Sequence, residues 1–240
     1  LPAAAKLSNL APRRAETRRA ATPESPVIAF FPSAVVRFAA AAALALALSP
    51  AFAAPAPEGT VDMAKVLQPG PLKELELGDP NGVPVVEYGS LTCPHCATFD
   101  EGVFPAFKAQ YIDTGKVHFI FREFSRNPLD VAAFVLARCE GDDKALATIH
   151  LLFAEQDKWA FVDNPQEALI VALRPTGMSH EQAMACLKDQ SKADEMIKIL
   201  NAAEKDVKIQ GTPTFVIAGK VYDGELSLDD LTAILKPQVK

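Results

Sequence analysis

The sequence has no uninterrupted run of 18 or more apolar residues, which argues against a membrane-spanning helix. It is also short of basic side chains where a nucleic-acid binder needs them. Residues 1–53 hold six of the 24 Lys and Arg residues (Lys6, Arg13, Arg14, Arg18, Arg19 and Arg37) against only Glu16 and Glu24. Residues 54–240 are left with 18 basic and 28 acidic side chains, a net charge of −10. Phosphate backbones are held by clustered Lys and Arg, so nucleic acid is not an expected partner of this body. No methionine precedes Met63, and cysteine is scarce, with four in 240 residues and none before Cys93. A chain of this length buries a core without help from disulfides. The four cysteines therefore have a purpose other than rescuing a small fold. One domain with an insertion, or two small domains, suits the length.

What is present begins with an address. In "VRFAAAAALALALSPAFAAPAPEG", Arg37 gives a positive start, residues 38–48 an apolar stretch of eleven, and Ser49-Pro50 a break. "AFA" at 51–53 then fits the small-x-small cleavage rule, so 37–53 is expected to be a secretory signal peptide. Residues 1–36, rich in Ala, Arg and Pro and without periodicity, are expected to be a disordered or mis-started extension, with the translated start near Val35 or Val36. An organellar targeting peptide is the second reading of this stretch; Arg18-Arg19 lacks the following residues of a twin-arginine signal. Export implies an oxidising compartment, which an even cysteine count suits.

Residues 54–72 read as a Pro- and Gly-spotted linker. "LKELEL" (72–77), turn chemistry in "GDPNG" (78–82) and the apolar "VPVVEYGS" (83–90) suggest a strand pair. Phe99, Val103, Phe104 and Phe107 give residues 94–110 a helical spacing. "KVHFIFREF" (116–124) reads as a strand covered on both faces. A helical region spans about 128–208, with Pro165 near a first turn and a capping-box pattern at Ser179 and Gln182. "TPTFVIAGKVYDG" (212–224) gives two short strands around Ala218-Gly219, and Ser227 with Asp230 opens a last helix that stops at Pro237. The order β-β-α-β, helices, β-β-α predicts one α/β sheet interrupted by an all-helical subdomain.

The chemistry lies in "LTCPHCATF" (91–99). Thiol–disulfide exchange needs a thiolate that attacks and a second thiol that resolves the mixed disulfide. Cys93, between a strand and a helix, is predicted at the N-cap, with Pro94 at the first helical position where a missing N–H costs nothing. The N–H groups of His95 and Cys96 then lie where a cap side chain accepts bonds. A helix dipole alone, worth about 0.3–1 kcal/mol, moves a thiol by less than one pKa unit, which is about 1.36 kcal/mol. Further donors, low dielectric and a protonated His95 are needed for strong activation. Cys93 is expected to be exposed and attacking, Cys96 covered and resolving. Stabilising the reduced thiolate makes the disulfide a stronger oxidant. A zinc site needs four ligands, of which C-x₂-C supplies two; Cys139, Cys186, His118, His150 and His180 show no ligand spacing. An inert disulfide across so tight a loop makes a poor staple. Redox work is the preferred reading, with no metal and no bound cofactor.

With CPHC after "VVEYGSLT", the helical region, and "GTPTF" (211–215) opening the late strand, residues 60–240 resemble the DsbA-like family of secreted thiol:disulfide oxidoreductases. The resemblance implies a thioredoxin fold with a helical insertion, here residues 73–240 with the insertion at about 128–208. It implies that Cys93 and Cys96 are the nucleophilic and buried cysteines and that Pro213 is a cis-proline beside the substrate chain. Glu87 matches a buried acid that exchanges a proton with Cys96; set among Val85, Val86 and Tyr88 it is expected to be buried with a raised pKa, the other reading being a solvated strand-end acid. Thr212 departs from the valine common in strong oxidases, and Ala97 from the aromatic common after the motif. Cys139 and Cys186 are expected to pair, as in some members of the family; two buried free thiols are the alternative. The function implied is a monomeric periplasmic dithiol oxidase acting on reduced exported proteins and reoxidised by a DsbB-like membrane partner. A disulfide isomerase or reductase is the nearest alternative, and a metal-binding or chaperone-like binding protein the alternative of another class.

Overall fold

The computed structural model describes residues 54–239, so the expectations for residues 1–36 and 37–53 lie outside the described residues. In chain order the elements are β1 (Gly59–Thr60), α1 (Met63–Val66), β2 (Leu75–Gly78), β3 (Val83–Gly89), α2 (Pro94–Gly102), α3 (Phe104–Phe107), β4 (Val117–Glu123), α4 (Pro128–Ala137), α5 (Asp142–Ala154), α6 (Gln156–Trp159), α7 (Pro165–Ala172), α8 (His180–Leu187), α9 (Gln190–Asp206), β5 (Thr214–Ile217), β6 (Lys220–Asp223) and α10 (Leu228–Leu235). The six strands make one mixed sheet in the order β1-β6-β5-β3-β4-β2, in which only β3 and β4 run parallel.

The apolar run of β3 takes the centre because it can be covered on both faces. Val85 packs with Phe119, Phe121, Phe215 and Ile217 against α2, α5 and α10. Val86 and Tyr88 pack with Ile120 and Val216 against Val66 and, at the end of α9, Ala203 and Val207. Each large apolar side chain removed from water here contributes roughly 1.5–3 kcal/mol. This alternation also turns Glu87 toward the face covered by α2.

Three expectations change. β2 and β3 do not pair with each other: β2 lies antiparallel on the outer edge of β4, from Leu75 opposite Phe121 to Gly78 opposite His118. The connection passes tightly over Val117, where a Cβ on Gly82 would lie 2.7 Å from its backbone. The residues read as a linker hold β1, paired with β6, and a turn of helix capped by the Asp62 carboxylate. The helix expected over 94–110 breaks after Gly102 and resumes as α3 with Pro105 in its first turn, followed by a π-turn at Lys108–Ile112. Proline donates no N–H to a continuous helix.

The insertion is α4–α9. Asn127 caps α4 by accepting from the Asp130 N–H, and Ser179 and Gln182 form a reciprocal capping box at α8. Cys139, just after α4, is disulfide-bonded to Cys186 in α8 with Cα atoms 6.0 Å apart. Arg138 ties the insertion to the sheet: its wholly buried guanidinium donates to Glu123 at the end of β4, to Asp142 at 2.6 Å and to the Lys73 carbonyl at 3.0 Å.

Replacing Arg138 by Met is expected to cost about 3–5 kcal/mol in denaturant unfolding, because Glu123 is left buried and unpaired, and Glu123→Gln in the same chain should recover part of that loss. Cys139→Ala with Cys186→Ala opens a loop of sequence separation 47 and should cost about 2–4 kcal/mol by the same measurement.

Candidate functional site

Local chemistry places the two thiols at one junction. β3 ends at Gly89, the chain turns through residues 90–92, and Cys93 takes the extended N-cap conformation (φ −95°, ψ 116°) with Pro94 opening α2. Both cysteines are free thiols and both are buried, Cys93 at 2% and Cys96 at 0% exposure. Covered Cys96 matches expectation; exposed Cys93 does not. The loop before β5 lies over Cys93, whose Sγ–H donates to the Thr212 carbonyl at 3.1 Å. The Thr212–Pro213 peptide bond is cis. Strands β3 and β5 are neighbours, with Tyr88 opposite Thr214, and this pairing carries a loop 119 residues away in sequence onto the sulfur.

The two sulfurs sit in unequal electrostatic surroundings. The Cys93 pKa is lowered from 9.0 to about 5: the Cys96 thiol stabilises the thiolate most, burial opposes it, and the Thr212 side chain and the N–H groups of Cys96 and His95 add to the stabilisation. Burial pushes the Cys96 thiol well above its ordinary value, and the nearby Cys93 and Glu87 push it further. The Ser90 N–H, 3.5 Å from the Cys96 sulfur, opposes that shift. Glu87 is 3% exposed, and burial, followed by Asp100 and Cys93, holds its carboxyl well above the carboxylate range.

His95 is not placed as expected. Its side chain is 72% exposed and its Nδ1 meets the Glu225 carboxylate, in the loop between β6 and α10. What His95 supplies to the Cys93 thiolate is its backbone N–H, not its ring.

Residues that local reading missed hold the turn from outside. Asp130 in α4 is wholly buried; its Oδ1 accepts from the Thr92 N–H at 2.8 Å, and its Oδ2 from the Ser90 hydroxyl and the Arg126 N–H, both at 2.9 Å. Burial raises its pKa, and these donors oppose the rise. From α6, the buried Gln156 amide donates to the Leu91 carbonyl at 2.7 Å and the Cys93 carbonyl at 3.1 Å. Both lie 38–65 residues from the turn they hold; the one available signal was Asp130 as the lone acid of an otherwise apolar helix, and Gln156, beside Glu155, Asp157 and Lys158, gave none. Arg126 reaches the Thr212 hydroxyl at 3.5 Å. Among the described residues no group of three or more His, Cys, Asp or Glu side chains is arranged to hold a metal. No helix among them is long and apolar enough to cross a membrane.

The thioredoxin fold with a helical insertion and the paired thiols at the start of α2 define the class, and the comparisons agree. A family model described as "Thioredoxin" matches residues 72–237. A Rickettsia typhi chain named as a protein-disulfide oxidoreductase is 37% identical over 153 residues, which cover 63% of this chain and 56% of that one. The chain thus spans just over half the length of such curated relatives. The crystal structure of alpha-DsbA1 from Wolbachia pipientis is 27% identical with a TM-score of 0.66, over 72% of this chain and 94% of that one. BdbD from Bacillus subtilis, 22% identical with a TM-score of 0.61 over 75% and 95%, shares the fold. The chain belongs to the thioredoxin family, in its DsbA-like group.

The raised pKa of Glu87 carries a stability prediction with a definite sign. The folded state holds the Glu87 proton to higher pH than the unfolded state, whose carboxyl titrates near 4.5. Its contribution is favourable below that pH and is lost as pH rises toward the folded-state pKa. The unfolding free energy of the native chain should therefore fall relative to Glu87→Gln between acid and neutral pH, as urea midpoints across that range will show.

Proposed function

We propose that the protein is a thiol:disulfide oxidoreductase working as a dithiol oxidase. The observation that carries this reading is the inequality of the two thiols: Cys93 is drawn down to about 5 and Cys96 pushed well above 9.0. A reduced pair with a stable thiolate disfavours its own disulfide, so the oxidised form gives its disulfide away.

The reaction starts from the Cys93–Cys96 disulfide. A substrate thiolate attacks the Cys93 sulfur, a bond forms between them, and the Cys93–Cys96 bond breaks with its electron pair going to Cys96. Glu87, protonated because of its burial, gives Cys96 a proton and recovers it when the pair is reoxidised. A second substrate thiolate then attacks the substrate sulfur of the mixed disulfide, and Cys93 leaves as its thiolate. The substrate loses two electrons and the enzyme gains them. Thr212 and Pro213, over Cys93, are the surface along which the substrate chain lies. Reduced proteins exported to the periplasm are the substrates of this reading, the protein itself reaching that compartment through the signal peptide at 37–53. It acts as a monomer, needs no bound cofactor, and is reoxidised by a DsbB-like membrane partner.

Equilibration of the Cys93–Cys96 pair with a glutathione buffer tests the direction. A potential of about −120 to −180 mV is expected; a value near thioredoxin's, about −270 mV, would replace the oxidase with a reductase or isomerase. Cys93→Ser should abolish oxidation of a reduced protein substrate, and full activity in that variant would exclude redox catalysis.

A further inference from the structure

The peptide unit between Leu91 and Thr92 is gripped at both of its poles by the helical insertion. Its carbonyl accepts from Gln156 Nε2 of α6 at 2.7 Å, and its N–H donates to Asp130 Oδ1 of α4 at 2.8 Å. Both gripping side chains are buried, as is Leu91. The second hydrogen of the same Gln156 amide goes to the Cys93 carbonyl at 3.1 Å, which also accepts from the Cys96 N–H at 3.1 Å and the Ala97 N–H at 3.3 Å. The two carbonyls differ in what else holds them. The Cys93 carbonyl is kept by the first turn of α2 whether or not Gln156 is present, whereas Gln156 is the partner found for the Leu91 carbonyl.

A peptide unit carries a dipole of about 3.5 D, with its negative end at the carbonyl oxygen. One residue before a cysteine that works as a thiolate, its orientation matters. Held as it is, the carbonyl end points to Gln156 in the insertion, and the donors at the Cys93 sulfur are the N–H groups of His95 and Cys96 at the start of α2. Released, the unit can rotate and bring its negative end toward the sulfur, which favours the protonated thiol. The grip also fixes where the cap begins: Asp130 accepts from the Ser90 hydroxyl at 2.9 Å, and the Ser90 N–H is the donor near the Cys96 sulfur. Two helices of the insertion thus hold the one short turn that leads into the thiol pair.

We infer that Gln156 and Asp130 are positioning residues that set the reactivity of Cys93 by fixing the orientation of the Leu91–Thr92 peptide. This rests on the proposed exchange function and deepens it: the insertion is part of the redox machinery, and changes in α4 or α6 reset the thiol pair without altering CPHC.

The test is thiolate absorbance at 240 nm as a function of pH in the reduced full chain, alongside thermal unfolding. Gln156→Met keeps the length and apolar packing of the side chain and removes both donors. Gln156→Asn keeps the amide and withdraws it by one methylene, so the Leu91 bond is lost in both. The expected result is a Cys93 midpoint raised by about one pKa unit in each folded variant, a tenfold loss of thiolate at a pH between the two midpoints. Cooperative unfolding with an unmoved midpoint would overturn the inference, because a residue serving packing alone changes stability and leaves the titration where it was. Failure of both variants to fold would assign Gln156 to stability and overturn it as well. The titration reads Cys93 directly, whatever the substrate or direction of exchange. A wild-type midpoint near 9.0 instead of about 5 would sink the exchange reading and this inference together; a midpoint near 5 shared by the native chain and its variants would sink this inference alone.

Discussion

The carboxylate of Asp130 has no exposure to solvent and accepts from the Thr92 N–H, the Ser90 hydroxyl and the Arg126 N–H. A buried anion is tolerated only when its lone pairs are satisfied, and here every donor belongs to the turn that carries Cys93 or to the loop that leads into α4. The constraint is mutual. The turn supplies the donors that let Asp130 stay buried, and Asp130 holds the turn in the one conformation that ends β3 and starts α2 with a cysteine at the cap. Gln156 completes the hold from the opposite pole. Chemistry at Cys93 therefore depends on contacts made between the sheet domain and its insertion, and the two cannot be treated as a catalytic part and an ornament.

The same dependence runs through the far side of the insertion. Arg138 leaves α4 at its other end and closes on Glu123, the last residue of β4, and on the Lys73 carbonyl before β2. Helix α4 is thus fastened near its start to the reactive turn and at its end to the sheet edge, with the Cys139–Cys186 disulfide binding it to α8 beside that second fastening. A helix held at both ends is a rigid reference for the side chains it carries inward.

What could be read from the sequence follows the range of the interaction. Capping chemistry is local, so Cys93 at the N-cap, Pro94 in the first turn and the Ser179–Gln182 box were all legible. The apolar neighbours on a strand are also local, and they were enough to expect Glu87 buried among Val85, Val86 and Tyr88; that it turns toward α2 is seen only in the fold. Ala218 and Gly219, both at positive φ, make the β5–β6 turn where their composition suggested one. The misses are matters of partnership. Nothing near Leu72–Leu77 tells that β2 prefers the open edge of β4 to its neighbour β3. Nothing near CPHC tells that the His95 ring turns out to Glu225, 130 residues on, or that a loop 119 residues away covers the Cys93 sulfur. Asp130 looked like an ordinary polar position in a helix whose other residues are apolar, and Gln156 like one more polar residue beside Glu155, Asp157 and Lys158.

Magnitudes show that a cysteine at a helix start does not by itself account for the reactivity of the motif. A fall of the Cys93 pKa from 9.0 to about 5 corresponds to roughly 5 kcal/mol in favour of the thiolate. A helix start supplies about 0.3–1 kcal/mol of this at an exposed site and up to about 2 in a partly buried one. Burial of the sulfur works in the opposite direction. Most of the stabilisation must therefore come from specific donors: the Cys96 thiol, the Thr212 side chain and the N–H groups of Cys96 and His95. Three of these four sit within CPHC, directly after the turn that Asp130 and Gln156 hold, and the fourth arrives with the loop before β5. The four letters of the motif name the reacting atoms. The strength with which they react is a tertiary property, distributed over β3, the cis-proline loop and two helices of the insertion, and chains sharing CPHC are free to differ in it.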